Sequence, residues 1–297
     1  MKKSWKSLKQ SGKMGRIDGR ELADKTFESL KAKARDLRAR GIEPSLKVIM
    51  VGEDAGSLSY IRGKEKDCGK VGVNFSCLSL PSGSGEKKVK EAVEECNEDP
   101  GVSAFIVQLP LPGLDPLPIL SKIDPKKDAD GLCPISVSCL DAGRPRVIPC
   151  TALAVWEMLK SAGVEVEGKD VCVIGRGLTS GRPISAFLTC LNATVTLAHS
   201  HTLNLEKYTR RSQIVVSCVG RGHFIKPDFI SPGSILVDVG FFLKDGRLMG
   251  DFDPKCFEKA SWYTTVPGGV GPMTRAMLVS NVLELCSGLA NRQNDLL

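Results

Sequence analysis

A tyrosine and a lysine stand four residues apart in the stretch SYIRGKEKDCGKVG, residues 59–72. In a helix this spacing places Tyr60 and Lys64 one turn apart along one edge. A lysine whose pKa is lowered by burial and by neighbouring cations can accept and donate protons near neutral pH. The pair is therefore a candidate for acid/base catalysis, and a solvated helix face is the alternative.

The same helix carries further cations, Arg62, Lys66 and Lys70. Its predicted inward stripe consists of Leu58, Ile61, Cys68 and the stem of Glu65. Arg62 and Lys66 then share the edge opposite the first pair. Periodicity alone does not decide which of the two pairs faces a ligand.

Two more polar clusters follow predicted strands in the first half of the chain. Gln108 lies in VQLPLP, and Asp128 and Asp130 lie in KDADG. Ligands of open α/β sheets bind beyond the carboxyl ends of the strands, so Gln108 is well placed for a site. Each residue also has an ordinary interpretation: a loop-capping amide for Gln108 and an Asp-Gly turn for Asp130.

In the second half, VCVIGRGLTSGRP places three glycines directly after a buried strand and at the start of a helix. Such a turn lets the backbone approach a pyrophosphate, whose charge meets free N–H groups at the helix N-terminus. The spacing of Gly175, Gly177 and Gly181 is GxGxxxG, and an ordinary strand–helix turn is the alternative.

The next strand favours NADP over NAD as the cofactor. About 20 residues after the turn, where an acid would hold the ribose diol of NAD, the chain reads AHSHT without a carboxylate. Arg176, Ser200 and the flanking His199 and His201 are candidates to face a 2′-phosphate. The predicted cofactor contacts are Gly175, Arg176, Gly177, Ser180, Gly181, His199, Ser200 and Gly220.

Strands and helices alternate along most of the chain, which predicts βαβ units with parallel sheets. The predicted strands are 46–52, 75–80, 103–109, 171–175, 194–200, 214–220 and 234–240. The predicted helices are 20–41, about 58–71, 86–99, 151–163, one from 181, and 274–292. A hairpin is expected at LKDGRL. Two α/β blocks therefore meet near residue 150.

Composition excludes several classes of protein. The chain has 297 residues, 42% of them hydrophobic, and no apolar run approaches the roughly 20 residues of a membrane span. Few aromatics and no long basic tract beyond the N-terminus argue against nucleic acid. The net charge of +7 suits an anionic small molecule. With three histidines and no CxxC, no metal site is expected.

The cysteines and the N-terminus bear on the compartment. Eleven cysteines are scattered singly, which predicts buried reduced thiols rather than a disulfide scaffold. The first 17 residues hold six Lys or Arg and no acid. Because they are Lys-rich without an amphipathic face, we expect residues 1–13 to be a flexible tail of a cytoplasmic protein, with a mitochondrial presequence as the alternative.

Taken together, the motifs resemble one enzyme family. SYIRGKEKDCGKVG, VQLPLP, DPKKDADG, PCTA, GRGLTSGRP and TTVPGGVGPMT occur in this order across nearly the whole chain. This combination resembles the bifunctional methylenetetrahydrofolate dehydrogenase/cyclohydrolase family, and PGGVGPMT is its most specific part. The resemblance implies NADP-dependent oxidation of 5,10-methylenetetrahydrofolate to the 5,10-methenyl form and hydrolysis to 10-formyltetrahydrofolate in the same cleft.

The resemblance also implies a fold and an assembly. A Rossmann-like NAD(P)-binding domain, residues 151–272, faces a folate-binding catalytic domain of residues 14–150 plus 273–297, so the C-terminal helix packs back on the first domain. A homodimer is expected from the resemblance alone. The substrate is a folate, polyglutamylated in some forms, whose carboxylates suit the basic charge.

The resemblance implies roles for individual residues. Lys64 is the acid/base residue of hydrolysis, Tyr60 stacks on or positions the folate, and Gln108 keeps the lysine usefully basic. The implied substrate contacts are Tyr60, Asp130, Pro267, Gly268 and Gly269. Arg176 and Ser200 fall at positions that resemble those meeting the NADP phosphate.

This chain also departs from the family pattern. Gly177 stands where family members commonly have a serine that contacts phosphate, and Thr179 and Ser180 replace an apolar pair. These changes affect the expected preference for NADP more than the expected fold. A further departure, Ala152 in PCTA, is mild. A monofunctional dehydrogenase and a non-catalytic dinucleotide- or folate-binding protein are the alternatives, although the joint presence of Tyr60, Lys64 and Gln108 favours the bifunctional enzyme.

Overall fold

A computed structural model describes residues 15–288. Its strands are β1 Gly15–Arg16, β2 Ser45–Val51, β3 Asn74–Leu80, β4 Ala104–Val107, β5 Asp170–Ile174, β6 Thr194–Ala198, β7 Ile214–Ser217, β8 Ile235–Asp238, β9 Phe242–Lys244, β10 Arg247–Met249 and β11 Trp262–Tyr263. Its helices are α1 Gly19–Ala39, α2 Ala55–Val71, α3 Glu86–Glu98, α4 Leu117–Leu120, α5 Pro134–Asp141, α6 Cys150–Ser161, α7 Gly181–Cys190, α8 Leu205–Arg211 and α9 Val270–Cys286. The predicted tail, residues 1–13, lies outside the described residues.

The first α/β unit is built on a parallel sheet in the order β3-β2-β4. All four residues of β4, AFIV, are buried, because helices and loops cover both faces of a parallel sheet. The helix α1 begins where the Asp18 carboxylate accepts the N–H groups of Arg20 and Glu21. Its buried residues recur every three to four positions and turn one face to the core.

The second unit contains a six-stranded parallel sheet in the order β1-β11-β8-β7-β5-β6. The two-α/β-unit architecture predicted from sequence is therefore confirmed. The sheet also contains a pairing that the sequence did not predict: Gly15 and Arg16 form its edge strand beside Trp262 and Tyr263. The proposed domain boundaries at residues 151 and 272 stay a prediction. The N-terminal edge strand β1 belongs to the sheet of the second unit.

The last helix, α9, packs on α1, α2 and α6, which confirms that the C-terminal segment returns to the first domain. It begins at Val270, four residues before the predicted start, because the chain enters the helix directly from the PGG loop. Buried residues occur all round it, as expected for a helix enclosed on several sides. Within residues 15–288, no helix has the length and apolar character to cross a bilayer.

The helix α2 corrects one prediction. Its start is capped by Asp54, which accepts the N–H of Ser57 at 2.7 Å, and it ends at Gly72 with a left-handed φ of 85°. The side chain of Glu65, placed on the inward stripe from sequence, is exposed, whereas Lys64 and Asp67 are buried. Apolar periodicity missed this face because its two polar residues have partners on other elements.

Other differences are smaller. The predicted hairpin is present as β9 and β10, while the short elements α5, α8, β1 and β11 were not predicted because they span too few residues for a period. All eleven cysteines are free, and most are buried or half-buried as predicted. Cys77 is the exception, because its side chain is exposed.

A buried asparagine ties α9 to the segments that carry the polar clusters. Asn281 Nδ2 donates to Ala129 O and to Ile148 O, both at 3.0 Å. Ala129 immediately precedes Asp130, and Ile148 lies two residues before the start of α6. The bonds therefore fix the C-terminal helix to the KDADG loop and to the segment that leads into α6.

We predict that Asn281→Leu lowers the free energy of unfolding by about 2–4 kcal/mol, because two buried carbonyls lose their amide donor. Ser280→Ala, at the half-buried neighbouring position, is the control and should cost about 0.5 kcal/mol or less. Denaturant unfolding of the three proteins measures both values. Equal stabilities for Asn281→Leu and wild type would contradict this account of how α9 is attached.

Candidate active site

Lys64 is a buried polar residue of α2 in the first domain. Its side chain is 6% exposed, and its Nζ donates to Gln108 Oε1 at 2.8 Å. Gln108 directly follows β4, and its own Nε2 donates to Leu109 O at 2.7 Å. That second bond fixes the amide so that its oxygen faces the lysine. A neutral amine keeps N–H donors, so the contact persists when Lys64 is deprotonated.

Burial is the main cause that lowers the pKa of Lys64. Among the charged groups, Asp130 opposes the shift and the cationic Arg275 adds to it. The net direction is toward the neutral amine, which is the form that accepts a proton. The arrangement can therefore supply a base at a pH where an exposed lysine is fully charged.

Tyr60 lies beside Lys64, as the helical spacing predicts. Lys64 Nζ is 5.3 Å from the centroid of the Tyr60 ring, and Arg275 Cζ is 5.9 Å from it. Burial raises the pKa of the Tyr60 phenol to about 12, so it remains protonated. The residue can offer a ring face and a hydroxyl, but not a phenolate base.

The two aspartates of the KDADG segment have different surroundings. Asp128 is 1% exposed and accepts the N–H groups of Gly131 and Cys133 at 3.0 and 2.8 Å, so it shapes the loop. Asp130 is half-buried, and burial raises the pKa of its carboxyl, against the attraction of Lys64. Asp130 is therefore the carboxyl of this pair that acts electrostatically on Lys64.

Cys150, at the first position of α6, also belongs to the site and was not singled out from sequence. Its thiol interacts with the Asp130 carboxylate and lies 3.3 Å from Ala129 O. Burial, followed by the charge of Asp130, raises the pKa of this thiol well above its ordinary value, so it stays protonated. The PCTA motif pointed to this residue, but a lone cysteine has no pattern that indicates a role.

Pro267, Gly268 and Gly269 form the loop that leads into α9. Gly268 O accepts the N–H of Gly19 at 2.9 Å, and a Cβ on Gly19 would lie 1.9 Å from Gly269 O. The loop therefore sits tightly on the start of α1. The loop is connected to the surroundings of Lys64 through α9, because Arg275 of α9 lies over the ring of Tyr60, the neighbour of Lys64.

The glycine turn of the second domain fits a dinucleotide. Gly175 has a φ of +105°, and a Cβ there would lie 2.6 Å from Cys218 O; on Gly181 it would lie 1.8 Å from Gly175 O. Only glycine fits these two positions. A Cβ on Gly177 meets nothing closer than Ser180 Oγ at 3.6 Å, so this glycine leaves open space above the turn.

The residues predicted to meet the 2′-phosphate share one edge of the sheet. Ile174 and Ala198 are paired in neighbouring parallel strands, so Arg176 and Ser200 both stand two residues beyond the carboxyl ends. Both side chains are exposed, and His199 is half-buried beside them. His199 Nδ1 accepts the N–H of His201 at 3.2 Å, which orders the loop.

Sequence reasoning also missed the carboxylate that holds the loop around Gly220. Asp251 is fully buried and accepts three hydrogen bonds at 2.7 Å, from Ser217 Oγ, Val219 N and Arg221 N. This loop follows β7. It borders the glycine turn because the carbonyl oxygen of Cys218 lies next to Gly175. No pattern in the sequence indicated that an acid after the hairpin would bond to it.

Two family models match the chain. Residues 17–130 match the tetrahydrofolate dehydrogenase/cyclohydrolase catalytic domain, and residues 149–289 match the NAD(P)-binding domain of the same family. The first contains Tyr60, Lys64, Gln108 and Asp130. The second contains the glycine turn, and also Cys150 and the Pro267–Gly269 loop.

Solved structures resemble the chain over nearly its whole length. The bifunctional methylenetetrahydrofolate dehydrogenase/cyclohydrolase of Campylobacter jejuni is 36% identical with a TM-score of 0.89, covering 92% of this chain and 98% of that one. The Trypanosoma brucei dehydrogenase-cyclohydrolase, complexed with NADP and an inhibitor, is 36% identical with a TM-score of 0.87, covering 91% and 96%. A Bombyx mori 5,10-methylenetetrahydrofolate dehydrogenase is 34% identical with a TM-score of 0.87, covering 94% and 100%.

The glycine turn gives a direct test of packing. Gly181→Ala should lower the free energy of unfolding by about 3 kcal/mol or more, because its Cβ would overlap Gly175 O. The matched control Gly177→Ala has open space for its Cβ and should change it by about 0.5 kcal/mol or less. Chemical denaturation measures both, and equal effects at the two positions would refute the assigned geometry.

Proposed function

The chain belongs to the tetrahydrofolate dehydrogenase/cyclohydrolase family, and we propose that Lys64 is the acid/base residue of its hydrolytic step. The protein is a bifunctional one-carbon enzyme that oxidises 5,10-methylenetetrahydrofolate to the 5,10-methenyl cation and hydrolyses this cation to 10-formyltetrahydrofolate. The observation that carries the proposal is the buried Lys64 amine held at 2.8 Å from Gln108 Oε1.

The chemistry requires different things from the protein in its two steps. The nitrogens adjacent to the methylene carbon stabilise the cation left when hydride departs, so oxidation needs orientation more than a strong base. Hydrolysis needs proton transfers. Water addition to the methenyl carbon releases one proton, and ring opening moves another from the hydroxyl oxygen to the departing nitrogen. Neutral Lys64 can accept the first proton and relay the second.

The neighbours of Lys64 support this role. Gln108 orients the amine without neutralising it, because an amide carries no charge. We propose that Tyr60 stacks on or positions the folate and that Asp130 binds its pterin ring, with the Pro267–Gly269 loop lining the same cleft. The raised pKa of Asp130 suits this role, because a carboxyl that is readily protonated can both donate to and accept from ring nitrogens.

We predict that Lys64→Met reduces hydrolysis of the methenyl cation at least about 100-fold while dehydrogenation persists, because only hydrolysis needs the amine. Wild-type hydrolysis should rise with pH through a midpoint below the ordinary lysine value of 10.5, since the neutral amine is the active form and burial lowers its pKa. The absorbance decay of the methenyl species measures both. Lys88→Met, which removes an exposed cation on α3, is the control. Undiminished hydrolysis by Lys64→Met would leave a monofunctional dehydrogenase as the better account.

For the cofactor, we propose NADP rather than NAD. A bound dinucleotide would accept the hydride, and the turn of Gly175, Gly177, Ser180 and Gly181 would hold its pyrophosphate. Support for NADP comes from Arg176 and Ser200 at the same sheet edge, and from the lack of a carboxylate in the AHSHT segment that ends β6. Gly177 gives no hydroxyl at the turn, which places more of the recognition on Arg176.

The cofactor proposal predicts that Arg176→Met weakens NADP binding about tenfold and changes NAD binding less than about twofold, because the guanidinium meets only the added phosphate. Fluorescence or calorimetric titration of both cofactors gives the dissociation constants. Lys169→Met, at the opposite end of β5, is the control for a general loss of positive charge. Equal weakening of NAD and NADP by Arg176→Met would exclude a role in 2′-phosphate recognition.

We further propose that the protein is a homodimer joined through the β9–β10 hairpin. This hairpin is a separate two-stranded sheet, and its residues Phe241, Phe242, Leu243 and Leu248 are between 43% and 63% exposed. A hairpin that exposes this much apolar surface is suited to burial against a second copy. Pairing of two identical hairpins about a two-fold axis is self-complementary, so the contact closes at two subunits.

The dimer is tested with Leu243→Glu, which should convert it to monomer because a charge would be buried at the contact. Leu203→Glu changes another exposed leucine, 82% exposed and outside the hairpin, and should leave the dimer intact. Light scattering after gel filtration at micromolar concentration measures the mass. A monomeric wild type, or equal dissociation by both variants, would reject the hairpin as the interface.

We also propose that the natural substrate carries a polyglutamate tail and that the protein is cytoplasmic. The exposed cations Arg62 and Lys66 on α2 support a polyglutamate tail, because they can attract its carboxylates. The eleven free cysteines support a cytoplasmic location, since they suit a reducing compartment.

A further inference from the structure

An arginine on the C-terminal helix reaches the turn of α2 that carries the proposed catalyst. Arg275 Nε donates to Asp67 Oδ2 at 2.7 Å, and its Cζ lies 5.9 Å from the centroid of the Tyr60 ring. The guanidinium also lies along the α2 backbone, since a Cβ on Gly63 would be 3.1 Å from Arg275 Nε. Arg275 thus contacts α2 at three points that flank Lys64 in sequence.

Asp67 makes this contact electrostatically important. Its side chain is 3% exposed, and it lies one helical turn beyond Lys64. Arg275 and Lys70, whose Nζ is 3.3 Å from Asp67 Oδ1, are its ion-pair partners. A buried carboxylate that lost its arginine would raise the pKa of a nearby amine, because its negative charge favours the protonated form.

We propose that Arg275 is a positioning residue for hydrolysis: it fixes the Tyr60 ring and the turn of α2 that carries Lys64, and it neutralises Asp67 beside them. This inference rests on the proposed role of Lys64. Arg275 contacts Asp67, Gly63 and the Tyr60 ring, and the Lys64 amine lies over the same ring. It therefore acts through other groups and not as a proton carrier.

The charges around Lys64 decide the sign of the effect. The groups that act on the pKa of Lys64 are Cys68 on α2, Asp130 in the loop after β4, Cys150 at the start of α6, and Arg275 on α9. Tyr60 and Asp67 lie near it on α2, and Asp67 is paired with both Arg275 and Lys70. Asp130 favours the charged amine, whereas Arg275 is the cation that opposes it. Removing Arg275 eliminates that opposition and leaves Asp67 paired with Lys70 alone. The neutral, proton-accepting form then becomes available only at higher pH.

The test is the pH dependence of methenyl hydrolysis by Arg275→Met. Its midpoint should move upward by about half a pH unit, which is a roughly threefold lower rate at pH 7, because the charge of Arg275 is a smaller cause than burial. Arg275→Lys keeps the positive charge and should retain most of the wild-type midpoint. Adding Asp67→Asn to Arg275→Met should move the midpoint back, since the carboxylate that lost its arginine is gone.

Two controls separate positioning from general stability. Lys33→Met removes another ion pair of α9, the one with Glu284, away from Tyr60, and should leave the midpoint unchanged. NADP affinity should be the same in all variants, because α9 does not form the glycine turn. A uniform loss of rate at every pH, with an unmoved midpoint in Arg275→Met, would overturn the proposal and assign Arg275 a structural role only.

Failure of this inference is distinguishable from failure of the proposed function. If wild type hydrolyses the methenyl cation, Lys64→Met does not, and Arg275→Met keeps the wild-type midpoint, only the role of Arg275 is wrong. If Lys64→Met hydrolyses as fast as wild type, the proposed role of Lys64 is wrong, whatever Arg275 does.

Discussion

The burial of a single amine determines much of the first domain's architecture. Lys64 is buried away from the water that would otherwise stabilise its charge. Burial of a charged group costs free energy unless the group is paired or becomes neutral. The protein meets this requirement with a neutral acceptor, the Gln108 amide, and with a carboxyl, Asp130, whose own pKa is raised by burial. Burial thereby shifts the lysine toward its neutral form, which is the form that can accept a proton.

Four separate segments are needed to build this environment. Lys64 comes from α2, Gln108 from the end of β4, Asp130 from the following loop and Cys150 from the start of α6. The helix α9 holds them together, because Asn281 bonds to the carbonyls of Ala129 and Ile148 while Arg275 pairs with Asp67. A helix from the far end of the chain is therefore part of the catalytic domain in a physical sense. The glycine turn of the second domain depends far less on such long-range contacts, since its requirements are local: two positions without a Cβ.

This difference explains what the sequence could and could not predict. Alternating apolar runs and turn residues were sufficient for both parallel sheets and for the glycine turn, because those signals are local. The i,i+4 spacing placed Tyr60 beside Lys64, but it placed Glu65 inward and left Lys64 on an edge. Burial of Lys64 depends on Gln108, which lies 44 residues away, and that of Asp67 depends on Arg275, which lies 208 residues away. Cys150 and Asp251 were missed for the same reason: each gains its role from a partner that no short pattern contains.

The central claim is that the structure keeps Lys64 readily deprotonated. Lysine-selective heteronuclear NMR over a pH series measures this without turnover, with the Lys64 signal identified by its absence from Lys64→Met. The account predicts that the Lys64 amine titrates below its ordinary value of 10.5, because burial outweighs the attraction of Asp130. Titration at or above 10.5 would contradict it, because the lysine would then be a charged anchor and not the base for hydrolysis.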